Sequence, residues 1–562
     1  MLTHAPPAPI PPPADFPVTW PHPDDAGQHW LCNREHFPQP ITPMAFSLID
    51  RLQAAGQQRV AARYPDAIVA RPCRRINTYF YAGLVRFDGP STVLAARVAG
   101  SQAAIHAVMW RLAEVWTTEW RPELEAHLAA WDAFDLPGAS LPALHAHLDA
   151  TLTRGARLWE LHFLLAAPVW TALHEFTELY TNLFAPATPL DAYELLAGFD
   201  NKTLELGRAL WRLSQQARRH PAVAAILTTP GADVLGLLAQ SAAGQDFWRA
   251  LRTFLDVYGR RSNLWDWGYP SWIEDPAPVL ANLRHYLTQP DRDLDAEEAT
   301  AVAARERAVA AARSRLQGYP QPAVAQFERL LPVAQTALRI SEDHNFYIDF
   351  SGMYRVRQVI HEFGRRFQAA GLLAASADVF YLTLDELRVT AAARHRLDRR
   401  DLAAARRAEM AYWAGITPPN ELGTPGPADL PLATPAAQRQ ARLFLSPAHP
   451  PAAPGIIQGQ AGAPGRVWGR ACVLGSLADA DKLRPGDVLV TATTAPPWTP
   501  LFRTAAAIVT DMGGPLTHGA IVAREYGIPA VVGARTATAQ IADGQWLEVD
   551  GDAGVVRILP GR

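Results

Sequence analysis

The spacing of apolar residues divides the chain into three zones. From 101 to about 412, apolar positions recur at i, i+3, i+4 and i+7, as in the stripe from Ile105 to Trp116, and this spacing predicts amphipathic helices. Before this zone, proline-rich coil surrounds one predicted strand, 75–87, with Gly83 as a bulge. After 465, short apolar runs alternate with short helical stretches, which indicates a compact α/β layer.

The pattern therefore predicts a multidomain α + α/β protein, with a large, mostly helical domain followed by a small layered α/β domain. A segment rich in proline, alanine and glycine separates them and is typical of a stiff linker; a surface loop is the alternative. The predicted divisions are an N-terminal segment with strand, 1–100, a helical domain, 101–416, a linker, 417–464, and the α/β domain, 465–562.

Composition narrows the class of protein. The net charge of -3 gives no indication of a nucleic-acid or membrane partner. Three scattered cysteines form neither a disulfide framework nor a zinc motif, and the first residues lack the pattern of a signal peptide. The longest apolar run, 163–173, is shorter than a bilayer span of about 20 residues. We therefore expect a cytoplasmic protein without a bound metal.

The segment DMGGPLTHGAIVAREYGIPAVVG, 511–533, carries the most specific chemistry. Gly513 and Gly514 allow a sharp turn and a close approach of backbone to phosphate. Thr517 stands at an N-cap position, so His518 falls in the first turn of a helix that Gly527 ends. A neutral imidazole is nucleophilic near pH 7, and a helix start favours a phosphoryl anion. The alternative is a histidine that only packs the helix start.

This segment resembles the phosphohistidine signature of the family that contains phosphoenolpyruvate synthase, pyruvate phosphate dikinase and the rifampicin phosphotransferases. The resemblance implies that a swivelling domain carries a phosphoryl group on His518, taken from the β-phosphate of ATP. Thr517 matches the hydroxyl residue that precedes the family's histidine. The run 491–502 is similar to the loop and helix packed beside that histidine.

Looser matches at 33–43, 76–81, 254–276 and 378–387 resemble the acceptor portion of rifampicin phosphotransferases and the large subunit of phenylphosphate synthase. No stretch resembles an ATP-grasp domain or a phosphoenolpyruvate-binding barrel. The resemblance to phenylphosphate synthase therefore implies that a separate ATP-grasp subunit handles Mg-ATP, and that this chain binds no cofactor tightly.

A polar segment in the helical zone, 339–357, is the predicted acceptor side. Transfer to a hydroxyl requires a base and positive charge, so His344 or Asp343 is the candidate base, and Arg339 and Arg355 are candidates for binding phosphate. Glu342 and Asn345 would contact the substrate, on a face shared with Phe346 and Asp349. The alternative is an exposed, salt-bridged helix face.

A second cluster, 256–275, is rich in aromatic residues. It supplies candidates for a substrate pocket, Tyr258, Arg260, Trp265 and Trp267. Packing of a loop against the helices is the alternative.

Two functions remain open at this point. The first is a phosphotransferase subunit that passes phosphate from His518 to a hydroxyl of a small phenolic or alcoholic acceptor, as an end in itself or to prepare an elimination such as dehydration. The second is a phosphocarrier or regulatory scaffold without small-molecule chemistry, which a pocket in the helical zone would count against.

Overall fold

The computed structural model describes residues 9–34, 36–229, 233–287, 294–393, 396–425, 453–494 and 498–560. The chain forms two compact units. Unit 1 comprises Met1–Pro168, Leu264–Tyr269 and Tyr347–Gln438, and unit 2 comprises Val169–Asn263, Pro270–Phe346 and Arg439–Arg562.

Helices make up most of the described residues before the last hundred positions. The α-helices are α1 Pro43–Leu48, α2 Ala55–Arg63, α3 Ser91–Met109, α4 Leu112–Val115, α5 Arg121–Asp132, α6 Leu141–Leu183, α7 Pro189–Glu194, α8 Lys202–Arg218, α9 Pro221–Thr228, α10 Val234–Leu238, α11 Ala242–Tyr258, α12 Ala277–Leu287, α13 Leu294–Arg315, α14 Gln321–Asn345, α15 Met353–Ala369, α16 Leu384–Ala392, α17 Arg400–Ala414, α18 Thr499–Phe502, α19 His518–Glu525 and α20 Ala537–Gln540. The described part of the chain also has π-helical turns at Ile49–Ala54, Trp116–Trp120 and Phe346–Gly352, and 3-10 turns at Pro23–Gly27, Ser376–Tyr381 and Leu477–Lys482.

The strands within the described residues form three sheets. They are β1 His29–Cys32, β2 Ile68–Ala70, β3 Cys73–Ile76, β4 Tyr79–Gly83, β5 Val85–Arg86, β6 Glu421–Gly423, β7 Ile456–Gln458, β8 Gln460–Ala463, β9 Arg466–Val473, β10 Val488–Thr491, β11 Ala507–Thr510, β12 Ala530–Val532, β13 Trp546–Asp550 and β14 Val555–Ile558. Unit 1 holds the sheets β3-β4-β1-β6 and β2-β5, and unit 2 holds the sheet β7-β14-β13-β9-β10-β11-β12-β8.

The single strand predicted over 75–87 is wrong. β3 and β4 instead pair as an antiparallel hairpin, with Ile76 opposite Tyr79. The two residues between them, Asn77 and Thr78, have positive φ values of 47° and 69°. This left-handed pair reverses the chain in a tight turn, which the aromatic and β-branched pattern alone does not reveal.

The C-terminal α/β region, residues 453–494 and 498–560, is built around four parallel strands, β9 to β12. β10 and β11 are buried along their whole length, because helices cover both faces of the sheet. Leu489 and Ile508 pack in a core with residues of α18 and α19. Val488 and Val509 face the opposite core, which includes residues of α20. This layering confirms the predicted α/β class of the region.

The parallel strands place one loop at their shared carboxyl edge. β10 and β11 end side by side, with Thr491 opposite Thr510. The chain then runs from Thr510 into the loop 511–517 and enters α19 at His518. Ligand sites in parallel α/β sheets lie at this edge.

The helical part of unit 2 has its own apolar core, formed by α8, α9, α11 and α12 around residues such as Leu210, Phe247 and Leu283. α6 runs through Pro168 as one helix. Among the described residues, no helix combines the length and apolar character needed to cross a bilayer.

The predicted domain boundaries remain predictions. Within the predicted linker, 417–464, the described residues include three strands, β6, β7 and β8. Residues 426–452 of that linker, which include most of its proline-rich run, lie outside the described residues.

Candidate active site

His518 is the first residue of α19, as the sequence predicts. Thr517 is the N-cap residue, in extended conformation, but its hydroxyl donates to the Gly514 carbonyl oxygen at 2.8 Å rather than accepting a helix amide. Gly513 has a φ of +106°, and a Cβ there would lie 2.9 Å from the Thr517 hydroxyl oxygen. The glycine is therefore needed to bring Thr517 and the helix start against the loop.

Both nitrogens of the His518 ring have partners. Nδ1 donates to Oε2 of Glu342 at 3.0 Å. Nε2 lies 3.0 Å from the hydroxyl of Thr499, the first residue of α18. Because a carboxylate only accepts, the proton of a neutral His518 ring resides on Nδ1, and Nε2 carries the lone pair. The His518 side chain is 10% exposed, and part of its cover comes from Glu342 on α14.

Glu342 is a buried carboxylate held from two sides. Its Oε2 accepts from His518 and from the hydroxyl of Thr203, the latter at 2.8 Å. Burial by itself raises the pKa of Glu342. The charge that His518 carries when protonated and the hydrogen bonds from His518 and Thr203 outweigh that effect, so the pKa of Glu342 lies below its usual value. Glu342 is therefore an anion that orients the imidazole.

Asp343 caps a neighbouring helix. Its Oδ1 accepts the backbone N–H of Lys202 at 2.9 Å, at the start of α8, whose next two amides are capped by Asn201. Burial raises the pKa of Asp343 to about 6, although the Lys202 amide and the charge of Arg339 oppose the shift. A carboxylate with such a pKa accepts a proton readily near neutral pH.

The other predicted acceptor residues of unit 2 lie on or beside the same helix. Arg339 is half-buried one turn before Asp343. His344 donates from Nδ1 to the Ile340 carbonyl oxygen at 3.1 Å, and Asn345 donates to the Ser341 carbonyl oxygen at 3.3 Å. These bonds run back along α14.

The regular helix face predicted to join Glu342, Asn345, Phe346 and Asp349 does not occur. The chain leaves α14 at Asn345 and enters a π-helical turn, Phe346–Gly352, which changes the angular spacing of the side chains. Asp349 belongs to unit 1, where it lies 3.3 Å from Nδ1 of His162.

Arg355 has partners that give no support to the predicted phosphate contact. It belongs to unit 1 and is 5% exposed. Its Nε and Nη2 donate to the two carboxylate oxygens of Asp132 at 2.9 and 2.5 Å, and its Nη1 donates to the Ser351 carbonyl oxygen at 2.9 Å. The guanidinium is thus engaged with the protein on three sides.

The predicted aromatic cluster 256–275 is divided between the two units. Tyr258 and Arg260 belong to unit 2, where the Tyr258 hydroxyl donates to Glu205 at 2.6 Å and Arg260 is half-buried. Trp265 and Trp267 belong to unit 1, and Trp267 is buried.

The sequence analysis did not find three residues, namely Thr499, which contacts His518, Thr203, which contacts Glu342, and Lys202, which contacts Asp343. Thr499 lies in the run 491–502, which the family resemblance had marked, so this signal was available. Lys202 is one of the two lysines of the chain, and its Nζ contacts Glu205 at 2.6 Å. No local pattern marks Thr203, since its role arises only when α8 and α14 meet.

Comparison with known proteins agrees with this geometry. Residues 164–342 match the sequence model of the rifampicin phosphotransferase fourth domain, and residues 483–554 match that of the mobile domain of PEP-utilising enzymes. These two matches support a family of the PEP-utilising, rifampicin phosphotransferase-like type. The first match ends at Glu342 and the second contains His518, so the contact between these two residues joins the two matched domains.

Several curated relatives are similar over long stretches. Chondramide synthase of Chondromyces crocatus is 40% identical over 564 residues, which cover 98% of this chain but 14% of the synthase. The uncharacterised phosphotransferase YvkC of Bacillus subtilis is 30% identical over 71% of this chain and 47% of its own length. Rifampicin phosphotransferase of Streptomyces sviceus is 34% identical over 64% of this chain and 40% of its own length. The chain thus matches less than half the length of each.

Proposed function

We propose that this phosphotransferase-family chain carries a phosphoryl group on Nε2 of His518 and transfers it to a hydroxyl of a small organic acceptor. The observation that supports this proposal is the pairing of His518 with Glu342. A carboxylate at Nδ1 holds the proton there, which leaves Nε2 as the nucleophilic nitrogen. The Thr499 hydroxyl beside Nε2 is placed to donate to a phosphoryl oxygen.

Transfer to the acceptor would break the Nε2–P bond and form a bond between phosphorus and the acceptor oxygen. The imidazole leaves as a neutral ring, because Nδ1 keeps the proton that it shares with Glu342. This requires Glu342 to remain ionised, and its lowered pKa supports that state. The proton of the acceptor hydroxyl goes to a base.

Asp343 is the base that the structure supports best. Its pKa of about 6 suits a group that takes a proton near neutral pH, and it follows Glu342 directly on α14. His344 is the next candidate on the same helix. The backbone N–H of Lys202 holds Asp343 in place at the start of α8.

The donor in this proposal is Mg-ATP, bound by an ATP-grasp module on a separate subunit. The matched relatives extend well beyond their aligned parts, so further segments accompany these two domains in the relatives. The three cysteines are unpaired, which fits the cytoplasm, where ATP is present.

An activating phosphorylation is the second candidate. Almost the whole chain aligns with a segment of chondramide synthase. A phosphotransferase-like segment within a biosynthetic synthase favours a role in which phosphate turns a hydroxyl into a leaving group, for example before dehydration. The first half-reaction, on His518, is the same in both cases.

The experiment combines this chain, a candidate ATP-grasp partner and ATP labelled at the β- or the γ-phosphate. We expect acid-labile label on this chain from the β-labelled ATP, and none on His518→Ala. A panel of phenols and alcohols is then added, and the label should move to one class. Label that stays on the chain with every acceptor contradicts small-molecule transfer and supports a phosphocarrier. A dehydrated product with free phosphate identifies the activating role.

A further inference from the structure

The C-terminal α/β region touches the helical part of unit 2 at more points than His518. Several of these contacts lie in and around α18 and α19. Three of them are the ion pair of Arg503 with Glu297 at 3.0 Å, the stacking of Arg524 on the Tyr193 ring at 4.4 Å, and the hydrogen bond from the Gly198 amide to Glu525 at 2.8 Å.

The Glu525 contact is at the far end of the His518 helix. α19 has 8 residues, so His518 and Glu525 lie about 10 Å apart along its axis, at about 1.5 Å per residue. Its first residue is held by Glu342 and its last by the backbone N–H of Gly198. Contacts at both ends fix the direction of a short helix on a neighbouring surface more closely than a contact at one end alone.

The loop that presents this amide is itself firmly held. Gly198 has a φ of +73°, and a Cβ there would lie 3.0 Å from the backbone of Ala301. Arg305 donates to the carbonyl oxygens of Ala197 and Gly198, at 3.3 and 2.6 Å, and stacks on the Phe199 ring at 3.8 Å. The Gly198 N–H is thus a rigid donor on the helical part, facing a carboxylate on the α/β region.

We propose that Glu525 is a positioning residue for phosphoryl transfer, which aligns α19 on the helical part by accepting the Gly198 amide. It holds the His518 ring at the Glu342 contact without touching phosphate or acceptor. The functional half of this inference rests on the proposed function, whereas the alignment of the helix does not.

A matched control exists within the α/β region. The carboxylate of Asp552 also accepts a glycine amide, that of Gly465 at 3.1 Å, but both residues belong to the α/β region itself. Asp552→Ala therefore removes a bond of the same kind without touching the helical part. Glu525→Gln keeps a side-chain oxygen that can accept, and Glu525→Ala does not.

The first measurement is amide hydrogen exchange of the full chain, compared as protection factors. Glu525→Ala should lower protection of the Gly198 amide about tenfold, the loss expected for one buried hydrogen bond. Glu525→Gln should restore most of it, and Asp552→Ala should leave it unchanged. Unaltered protection at Gly198 in Glu525→Ala overturns the proposal, as does an equal loss throughout the α/β sheet, which would mark general destabilisation.

The second measurement separates the half-reactions. Potassium phosphoramidate, which phosphorylates histidine chemically, loads the full chain without a partner. Loading of His518 should agree within about twofold between wild type and Glu525→Ala, whereas loss of label to the responsive acceptor should slow about tenfold. If both steps slow equally, or if neither step slows, the positioning role of Glu525 is rejected. If wild-type His518 cannot be loaded at all, the proposed function fails, while the exchange result still decides the alignment.

Discussion

At the scale of the residue, the proposed phosphoryl transfer depends on which partner binds each of the two nitrogens of His518. Nδ1 is bound to Glu342 and Nε2 faces the hydroxyl of Thr499. A carboxylate partner orients the ring and sets its tautomer, and the hydroxyl is placed to contact whatever Nε2 carries. Each partner can be removed separately with little change in side-chain volume.

Glu342→Gln should slow phosphoryl transfer to the acceptor by roughly 10- to 100-fold, because a hydrogen bond to a charged group contributes about 1.5–3 kcal/mol. The amide still fits the space but no longer holds the Nδ1 proton with a full charge. Single-turnover release of label from loaded chain measures the effect. A rate equal to wild type would exclude Glu342 from the transfer step.

Thr499→Val should have a smaller effect, about two- to tenfold, on the lifetime and transfer of the phosphoryl group. The substitution removes a neutral hydrogen bond of about 0.5–1.5 kcal/mol and keeps the shape of a side chain that is fully buried. Hydrolysis and transfer rates of the loaded chain provide the readout. The reverse order, with Thr499→Val more damaging than Glu342→Gln, would contradict the assigned roles.

At the scale of the element, local signals predicted well where neighbouring residues set the conformation. The strand before Asp511, the N-cap at Thr517 and the helix end near Gly527 all follow from nearby residues, and the structure has them. The hairpin turn at Asn77 was not predicted, because an aromatic-rich run with one asparagine has the pattern of a single strand.

The sequence could not reveal contacts between residues that come from distant segments. Glu342 and His518 were both candidates, but they stand 176 positions apart and nothing local joins them. Arg355 was a candidate for binding phosphate, because no sequence pattern shows that its guanidinium binds Asp132. The π-helical turn after Asn345 also breaks the regular spacing on which the predicted helix face depended.

Gly513→Ala tests the loop before α19. The φ of +106° and the 2.9 Å approach of a Cβ to the Thr517 hydroxyl should destabilise the fold by at least about 1–2 kcal/mol. Urea unfolding measures the loss. Gly475→Ala is the control, because nothing lies within 4 Å of its added Cβ. Equal stability of the two variants would show that the loop tolerates a side chain.

Glu525 gives the α19 contact a dependence on pH. Burial raises its pKa to about 7, and the nearby carboxylate of Glu342 adds to this, while the Gly198 amide, Arg524 and Arg305 oppose it. A raised carboxyl pKa means that the folded form holds the proton more tightly than the unfolded chain. The stability that protonated Glu525 contributes to the fold is therefore fully present at low pH. It is lost as pH rises from about 4.5 to about 7.

The difference in unfolding free energy between wild type and Glu525→Gln should therefore shift against wild type from pH 5 to pH 8. This shift in the difference of unfolding free energies is at most roughly 3 kcal/mol. Taking the difference removes the other titrating groups, including Glu342 and Asp343. Parallel pH profiles for the two proteins would show that Glu525 does not titrate in this range.

At the scale of the whole molecule, the proposed function assigns both the carrier and the acceptor side of a phosphotransfer reaction to this chain. Two family matches cover these parts, and the relatives extend well beyond them. With a donor module on a separate subunit, the isolated chain and ATP should give no label on His518, and adding the partner should start labelling. Labelling of the purified chain by ATP alone would contradict this division of work.

The most direct test of the proposed function determines which atom carries the phosphoryl group. The chain, with ¹⁵N-labelled histidine, is phosphorylated by ATP and its partner and then examined by ¹⁵N and ³¹P NMR, with peptide mapping at alkaline pH. The proposed function predicts one phosphohistidine, at Nε2 of position 518, which is absent in His518→Ala. A phosphoryl group on Nδ1, or on any other residue, would contradict it.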